Sequence, residues 1–331
     1  MAGRGSPPGH SDFLGTPSQH TVDSEQQPGY GCDLPNRVAT EWRSPPVAES
    51  LNPQTQDMVR EAASLMGKLF VNRRDVKAVY RPDHSGKWHW TAHPFPYTMP
   101  DFSEHLLGKH CLGTYLLNPD NTVKFMVFDI DIAKTGKYWR CYDIDQIVDL
   151  EDRGYGFDMD LREGPLEAAL HDPTADAHRW VRIILLDCIR RLCQLVRTEI
   201  DQIPVTVITG GGAHVIVPLP APIAAEMTRA VGQEIVRRLP TATRINKMFW
   251  SYGGLGELTI EVFPKQDTLE GKDYGNLIRL PYGWHHEAGI RTYSIDPESV
   301  ICPNWEWSKI SSLATLRSLP DLLKTKSVGV V

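Results

Sequence analysis

Two carboxylates lie two residues apart inside an apolar segment in the middle of the chain. Asp129 and Asp131 interrupt the otherwise apolar run 125–132. On a β-strand alternate side chains point to opposite faces, so both carboxylates share one face and the apolar residues face a core. Paired carboxylates raise each other's pKa unless a cation neutralises them, and Mg²⁺ and Mn²⁺ prefer such oxygen ligands. The spacing predicts a divalent-metal site, with a solvated strand edge or a turn calcium site as alternatives.

A third carboxylate, Glu261, lies in a second apolar segment, 258–263. A glutamate in such a strand usually faces solvent, so its position alone indicates little. Together with Asp129 and Asp131 it would complete a three-carboxylate site, which is able to hold two metal ions roughly 3.5–4 Å apart.

A glycine-rich segment precedes a histidine between these two strands. Three glycines, Gly210–Gly212, are followed by Ala213 and His214. Glycines allow close approach of a ligand to the backbone and leave N–H groups that bind anions. No Lys-Ser/Thr follows, and the segment leads into a strand, so it is neither a Walker A loop nor a dinucleotide fingerprint. Gly211, Gly212 and His214 are therefore candidate phosphate contacts; a plain glycine turn with a structural histidine is the alternative.

Cationic and amide side chains follow the third carboxylate. They are Lys265, Gln266, Asn276 and Arg279. Exposed basic residues are ordinarily solvated surface, but their clustering after Glu261 makes them candidate nucleotide contacts. Arg73, Arg74 and Lys77, with the aromatic residues Tyr80, Trp88 and Trp90, are a candidate patch for stacking on bases, with burial of the aromatic residues in the core as the alternative.

The elements that must position these residues alternate irregularly. Apolar spacing predicts helices near 58–69, 175–200 and 222–239, and strands at 76–90 (with a turn at 82–86), 111–117, 123–132, 205–208, 214–217, 258–263 and 276–280. The turn 118–121 predicts a hairpin joining 111–117 to 123–132. This hairpin would place Tyr115 beside the carboxylate strand, close enough to contact the sugar of a nucleotide; a core tyrosine with a satisfied hydroxyl is the alternative. Turn-joined strands favour an α+β fold over a doubly wound one.

Composition limits the class of protein. The chain has 331 residues and a formal net charge of −6, and no apolar run is long enough to cross a membrane. We expect a cytoplasmic protein without a membrane partner, in which any contact with nucleic acid is local. The six cysteines form no close pairs, which argues against a zinc ribbon; Cys188 and Cys193 are predicted to be core residues.

The ordered set of motifs resembles the archaeo-eukaryotic primase superfamily of primase-polymerases. That family combines a strand ending in two spaced acids, a small-residue turn closing on histidine, and a strand with a third acid; here these are 125–132, 209–214 and 259–263. The segments 105–125 and 261–285 are similar to those of CRISPR-associated primase-polymerases and of the primase domains of TOTE conflict systems. The resemblance covers about residues 65–300.

The resemblance implies an α+β, primase-like catalytic core: an RRM-like antiparallel sheet with flanking helices, plus an N-terminal α/β module. It places a catalytic domain at 51–310, after a disordered Gly/Pro/Ser-rich tail at 1–50 and before a C-terminal helix and tail at 311–331. It implies a DNA primase or polymerase of replication or repair that joins dNTPs or NTPs on a single-stranded DNA template. The helicases and the CRISPR or mobile-element proteins of such systems are its implied partners.

The implied roles fall on the matching residues. Asp129, Asp131 and Glu261 become catalytic ligands of two Mg²⁺ or Mn²⁺ ions; Gly211, Gly212, His214, Lys265, Gln266, Asn276, Arg279 and Tyr115 become nucleotide contacts. The chain departs from the pattern where Gly212 replaces a serine and Glu261 replaces the commoner aspartate. A D-x-D glycosyltransferase and a non-catalytic nucleic-acid-binding replication protein remain alternatives.

Overall fold

The computed structural model describes residues 52–133, 137–140, 160–163, 176–254, 256–271, 274–286 and 289–296. The chain divides into two units, 1–41 and 42–331, and every described residue belongs to the second. The predicted tails at 1–50 and 311–331, and the domain boundaries near 50 and 310, lie outside the described residues and stay predictions.

The described elements are four helices and fifteen strands. The helices are α1 (Pro53–Leu69), α2 (Met99–Leu106), α3 (Asp176–Ile200) and α4 (Ala225–Arg237). The strands are β1 (Lys77–Pro82), β2 (Trp88–His93), β3 (Cys111–Tyr115), β4 (Thr122–Ile132), β5 (Lys137–Arg140), β6 (Asp160–Glu163), β7 (Val205–Ile208), β8 (Gly212–Ala224), β9 (Thr243–Arg244), β10 (Phe249–Tyr252), β11 (Leu258–Phe263), β12 (Leu277–Arg279), β13 (Trp284–His285), β14 (Ile290–Arg291) and β15 (Tyr293–Ile295). None of the helices in these ranges is long and apolar enough to cross a membrane.

Side-chain caps fix where the first two helices begin. The Asn52 side chain accepts a hydrogen bond from the Thr55 N–H, and Pro53 occupies the first turn, where its missing N–H costs nothing. Thr98 and Asp101 form a reciprocal capping box at the start of α2. These polar residues explain why α1 begins at Pro53, ahead of the first apolar residue of its spacing, Met58.

Strand β4 lies at the centre of a seven-stranded antiparallel sheet. The strand order is β15-β7-β8-β4-β11-β10-β9, so β4 pairs with β8 on one side and β11 on the other. A four-stranded sheet has the order β12-β3-β1-β2, so β12 joins three strands from the N-terminal part of the chain. We call this sheet, together with α1 and α2, the N-terminal module. Strands β5-β6 and β13-β14 form separate pairs. The antiparallel sheets with flanking helices confirm the predicted α+β fold.

The predicted hairpin between 111–117 and 123–132 is wrong, because β3 and β4 belong to different sheets. The turn itself forms, with the Asn121 N–H donating to the Asn118 carbonyl. Asn72 lies between the two strands: its side-chain N–H donates to the Leu116 carbonyl, and its side-chain oxygen accepts from the Lys124 N–H. The end of β3 therefore bonds to Asn72 rather than to β4. Strand β8 also extends to Ala224, where the start of a helix at 222 was predicted.

The two faces of β4 bury different cores. Met126, Phe128 and Ile130 pack with residues of α3 and α4, including Cys188 and Cys193, which are buried as predicted. Phe125 and Val127 on the other face pack against α1, α2 and the four-stranded sheet. The carboxylates share this second face at the end of the strand, so they lie where the N-terminal module stops covering the large sheet.

Candidate active site

Three neighbouring strands bring the sequence-predicted residues into one line. Asp129 in β4 is directly opposite His214 in β8 and Glu261 in β11. Directly opposite residues of antiparallel strands project from the same face, so the three side chains cross the sheet as a row. Asp131 lies two residues further along β4, opposite Gly212 and Thr259, and is exposed.

Side chains of the protein itself pair with two of the carboxylates. The His214 Nε2 lies 3.2 Å from the Asp129 Oδ1, and the Lys265 ammonium pairs with Glu261. Burial acts to raise the pKa of Asp129, but His214 outweighs it together with the charges of Lys265 and Arg279. The pKa of Asp129 is therefore below its ordinary value, in keeping with the expectation that only an unneutralised pair of carboxylates has a raised pKa.

The donor set has the right chemistry for a hard divalent cation at Asp129 and Asp131. Both offer carboxylate oxygens from one face of one strand, as Mg²⁺ or Mn²⁺ prefers. Glu261, by contrast, is engaged by Lys265. Among the described residues, no group of three or more His, Cys, Asp or Glu side chains is arranged to hold a metal ion. A third carboxylate ligand would require Glu261 to exchange Lys265 for the metal.

A cavity of about 180 Å³ lies at Asp129 and His214, and Glu261 is not among the residues that line it. It is lined by Trp90, Asp129, Asp131, Thr209, Gly211, His214, Leu277, Ile278, Arg279 and His285. Strand β4 forms one wall of the cavity, and β12 of the four-stranded sheet forms another. The Arg279 Nη1 is buried and has no hydrogen-bond partner within the described parts of the chain. Because Arg279 lines the cavity, its guanidinium gives the wall a positive charge of the kind that pairs with anionic oxygens such as phosphate.

The glycine segment has two roles that the sequence did not separate. Gly211 lines the cavity, and a Cβ added there would meet no heavy atom within 4 Å. A Cβ on Gly212 would lie 1.8 Å from the Ile130 carbonyl oxygen. Gly211 is thus placed as predicted, whereas Gly212 is required for the close packing of β8 against β4.

The remaining predicted contacts lie outside the residues that line the cavity. Tyr115 is buried and packs its ring 5.0 Å from that of Tyr274. The Asn276 side chain accepts a hydrogen bond from the Lys265 N–H, and the Gln266 side chain donates to the Thr268 carbonyl. Asn276 therefore fixes the backbone of Lys265. The sugar contact proposed for Tyr115 depended on a hairpin that does not form, because β3 and β4 lie in different sheets. The role of Tyr115 stays a prediction.

Sequence reasoning missed Thr209, Leu277, Ile278 and His285 in the cavity wall. Burial, assisted by the charge of Arg279, lowers the pKa of His285 to about 3, so its ring is neutral. The segment ending at 285 carried part of the family resemblance, which was the one signal that pointed to it.

The antiparallel fold and the row of carboxylates and histidine define a primase-polymerase-like domain. The chain belongs to the family described as "TOTE conflict system, Archaeo-Eukaryotic Primase domain", whose model matches residues 69–319. The resemblance stated from the motifs is confirmed. Among solved structures, the chain is similar to the polymerase domain of Mycobacterium tuberculosis ligase D in complex with DNA, at 13% identity and a TM-score of 0.46, covering 83% of this chain and 91% of that one. No curated protein matches.

Proposed function

We propose that the protein is a template-dependent nucleotidyltransferase that joins dNTPs or NTPs on single-stranded DNA. One observation carries the proposal: the row Asp129–His214–Glu261 on three adjacent strands, in a family of primase domains. Two carboxylates, a histidine and the Arg279 guanidinium then line one small cavity. This combination suits a substrate that has both a reacting hydroxyl and a chain of phosphates.

The carboxylates would hold divalent ions, with Asp129 and Asp131 as the first ligands and Glu261 as the third. Bound Mg²⁺ or Mn²⁺ would supply activation of a hydroxyl and neutralisation of phosphate charge. Arg279, His214 and the Gly211 backbone would bind the triphosphate in a cavity where water is partly excluded. Lys265, which pairs with Glu261 in the structure, is a further proposed phosphate contact.

Two alternatives lose support. A D-x-D glycosyltransferase does not account for the histidine and glutamate aligned with Asp129 from neighbouring strands, nor for a primase family. A non-catalytic binding protein has no need of an intact set of acids in a cavity. Three further points are proposed only because the resemblance implies them. They are the use of DNA rather than RNA, the number of metal ions, and the helicase and CRISPR partners.

We expect Asp129→Asn and Asp131→Asn each to lower nucleotide incorporation by about a hundred-fold or more, because metal-ion catalysis supplies several kcal/mol of transition-state stabilisation. The measurement is incorporation of labelled dNTP and NTP on single-stranded template, with and without a primer, in Mg²⁺ and in Mn²⁺. Thermal unfolding of each variant would establish that the fold is intact.

The matched control is Asp201→Asn, since Asp201 is exposed in the loop after α3, outside the cavity lining, and has a positive φ that Asn tolerates. It should retain wild-type incorporation. Near-normal incorporation by either site variant would refute the proposed carboxylate roles.

A further inference from the structure

A line of stacked rings crosses the hairpin of β1 and β2. Tyr80 stacks on Trp88 at a centroid distance of 5.4 Å and packs on Trp90 at 5.0 Å. Trp88 in turn stacks on His286 at 4.0 Å, with 23° between the ring planes. We call these four residues the aromatic strip.

Strand alternation places the three aromatic residues of the hairpin on one face of the four-stranded sheet. Tyr80 is directly opposite Trp90, and Pro82 is opposite Trp88, so the rings share one face. The intervening residue Val79 is opposite Leu112 on the other face and packs into the core shared with α1 and α2. The strip is therefore separate from the packing that holds the N-terminal module to the large sheet.

The strip continues into the cavity. Trp90 and Arg279 both line the cavity with Asp129. The Arg279 guanidinium carbon lies 5.3 Å from the centroid of the Tyr80 ring and 5.7 Å from that of Trp90. A molecule lying along the rings would thus arrive at the carboxylates without leaving the protein surface.

The exposure and charge of the strip indicate its ligand. Trp88, Trp90 and His286 are partly exposed, whereas Tyr80 is buried beneath them. Burial lowers the pKa of His286, which favours its neutral, flat ring. Aromatic faces bind bases by stacking with little regard to sequence. Stacking also suits a chain whose net charge of −6 disfavours broad contact with a phosphate backbone.

We infer that the aromatic strip is the path of the single-stranded template, whose bases stack on Trp88 and Trp90 as the strand enters the cavity. The inference rests on the proposed function and adds to it the surface that binds the template. The exposed Lys87, next to Trp88 at the outer end of the hairpin, is placed to contact a phosphate of that strand.

The test titrates fluorescein-labelled oligo(dT) of 20 nucleotides with protein, in the absence of divalent ions, and follows anisotropy. Trp88→Ala should weaken binding by about five- to a hundred-fold, the loss of one base–aromatic stack. Trp88→Phe, which keeps a stacking face, should stay within a few-fold of wild type. Phe95→Ala removes a 62% exposed aromatic outside the strip and should bind like wild type.

Nucleotide affinity, measured on the same variants, separates the two proposals. A wild-type protein that binds neither oligo(dT) nor nucleotide refutes the proposed function. Oligo(dT) binding that is unchanged in Trp88→Ala overturns the strip while the proposed function stands. If Trp88→Ala fails to fold, photocrosslinking of wild-type protein to an oligonucleotide containing 5-iodouracil decides: adducts at Trp88 or Trp90 support the strip, and adducts confined to other segments overturn it.

Discussion

His214 is the residue whose position most clearly favours a proposed catalytic site over two carboxylates that merely lie on the surface. Its ring nitrogen lies 3.2 Å from Asp129, and both side chains are largely buried at the cavity wall. The contact lowers the pKa of Asp129 and so favours the ionised form that a metal ligand requires. Under the proposed function, the same histidine would also contact a phosphate of the nucleotide.

We expect His214→Ala to weaken nucleotide binding by about ten- to a hundred-fold, because a charge-assisted hydrogen bond to phosphate contributes roughly 1.5–3 kcal/mol. Affinity for oligo(dT) should stay the same, since the aromatic strip is unchanged. The measurements are nucleotide affinity, oligo(dT) affinity and melting temperature on one preparation. A variant that loses both affinities along with melting temperature would show instead that His214 is a structural residue.

The residue types of the site were predictable, but their present partners were not. Alternation on β4 was enough to place Asp129 and Asp131 on one face. Nothing in the sequence indicated that Lys265 would pair with Glu261, because the two are four residues apart across the end of a strand rather than on a helix. The ion pair depends on how the chain turns after β11, where Asn276 holds the Lys265 backbone.

At the scale of elements, the local turns were predictable and the sheet partners were not. The turns 82–86 and 118–121 both form near the predicted positions. The second does not produce a hairpin, because Asn72, distant in sequence, binds the backbone of both flanking segments. Periodicity reports which face of a strand is buried; it does not report which strand lies beside it.

Gly211 and Gly212 are adjacent in sequence but differ in their surroundings, so substituting each by alanine gives a matched comparison. Gly212→Ala should destabilise the fold by about 1–3 kcal/mol or more, because its Cβ would overlap the Ile130 carbonyl oxygen in the neighbouring strand. Gly211→Ala should leave the free energy of unfolding within about 0.5 kcal/mol of wild type, since its Cβ would enter open space. Urea unfolding of both variants provides the comparison.

The same pair tests the phosphate contact. If a triphosphate approaches the backbone at Gly211, the added methyl of Gly211→Ala should weaken nucleotide binding in a protein of normal stability. Equal unfolding free energies for the two variants would contradict the structural assignment. Normal stability with normal nucleotide affinity in Gly211→Ala would exclude the close approach.

At the scale of the whole molecule, the site depends on two sheets that share one core. Phe125 and Val127 of β4 pack against the N-terminal module, and Arg279 of that module's sheet reaches the cavity. His105 helps to hold this arrangement: its Nδ1 accepts from the Leu112 N–H and its Nε2 donates to the Pro281 carbonyl. Burial lowers the pKa of His105 to about 3, so it makes both bonds as a neutral ring. The apolar pattern predicted α1, β3 and β4, but not α2, nor that the module would pack on the face of the large sheet that carries the carboxylates.

The whole-molecule charge gives the last prediction, the salt dependence of template binding. Single-stranded binding weakens with salt by a slope of roughly −0.7 for each phosphate neutralised. The chain carries a net charge of −6, and His214 and Lys265 already pair with carboxylates in the cavity region. We therefore expect a slope of about −2 or shallower for oligo(dT) between 50 and 200 mM NaCl, corresponding to about three phosphate contacts or fewer.

Trp88→Ala should lower the affinity at every salt concentration and leave this slope unchanged, because stacking releases no counterions. Lys87→Ala should do the reverse, with a small loss of affinity and a slope shallower by about 0.7, the value for one phosphate contact. A wild-type slope steeper than about −4 would show that the template is held along its phosphates by a cationic surface. In that case the aromatic strip would not be the main determinant of template binding, and the charged side chains outside it would have to be mapped instead.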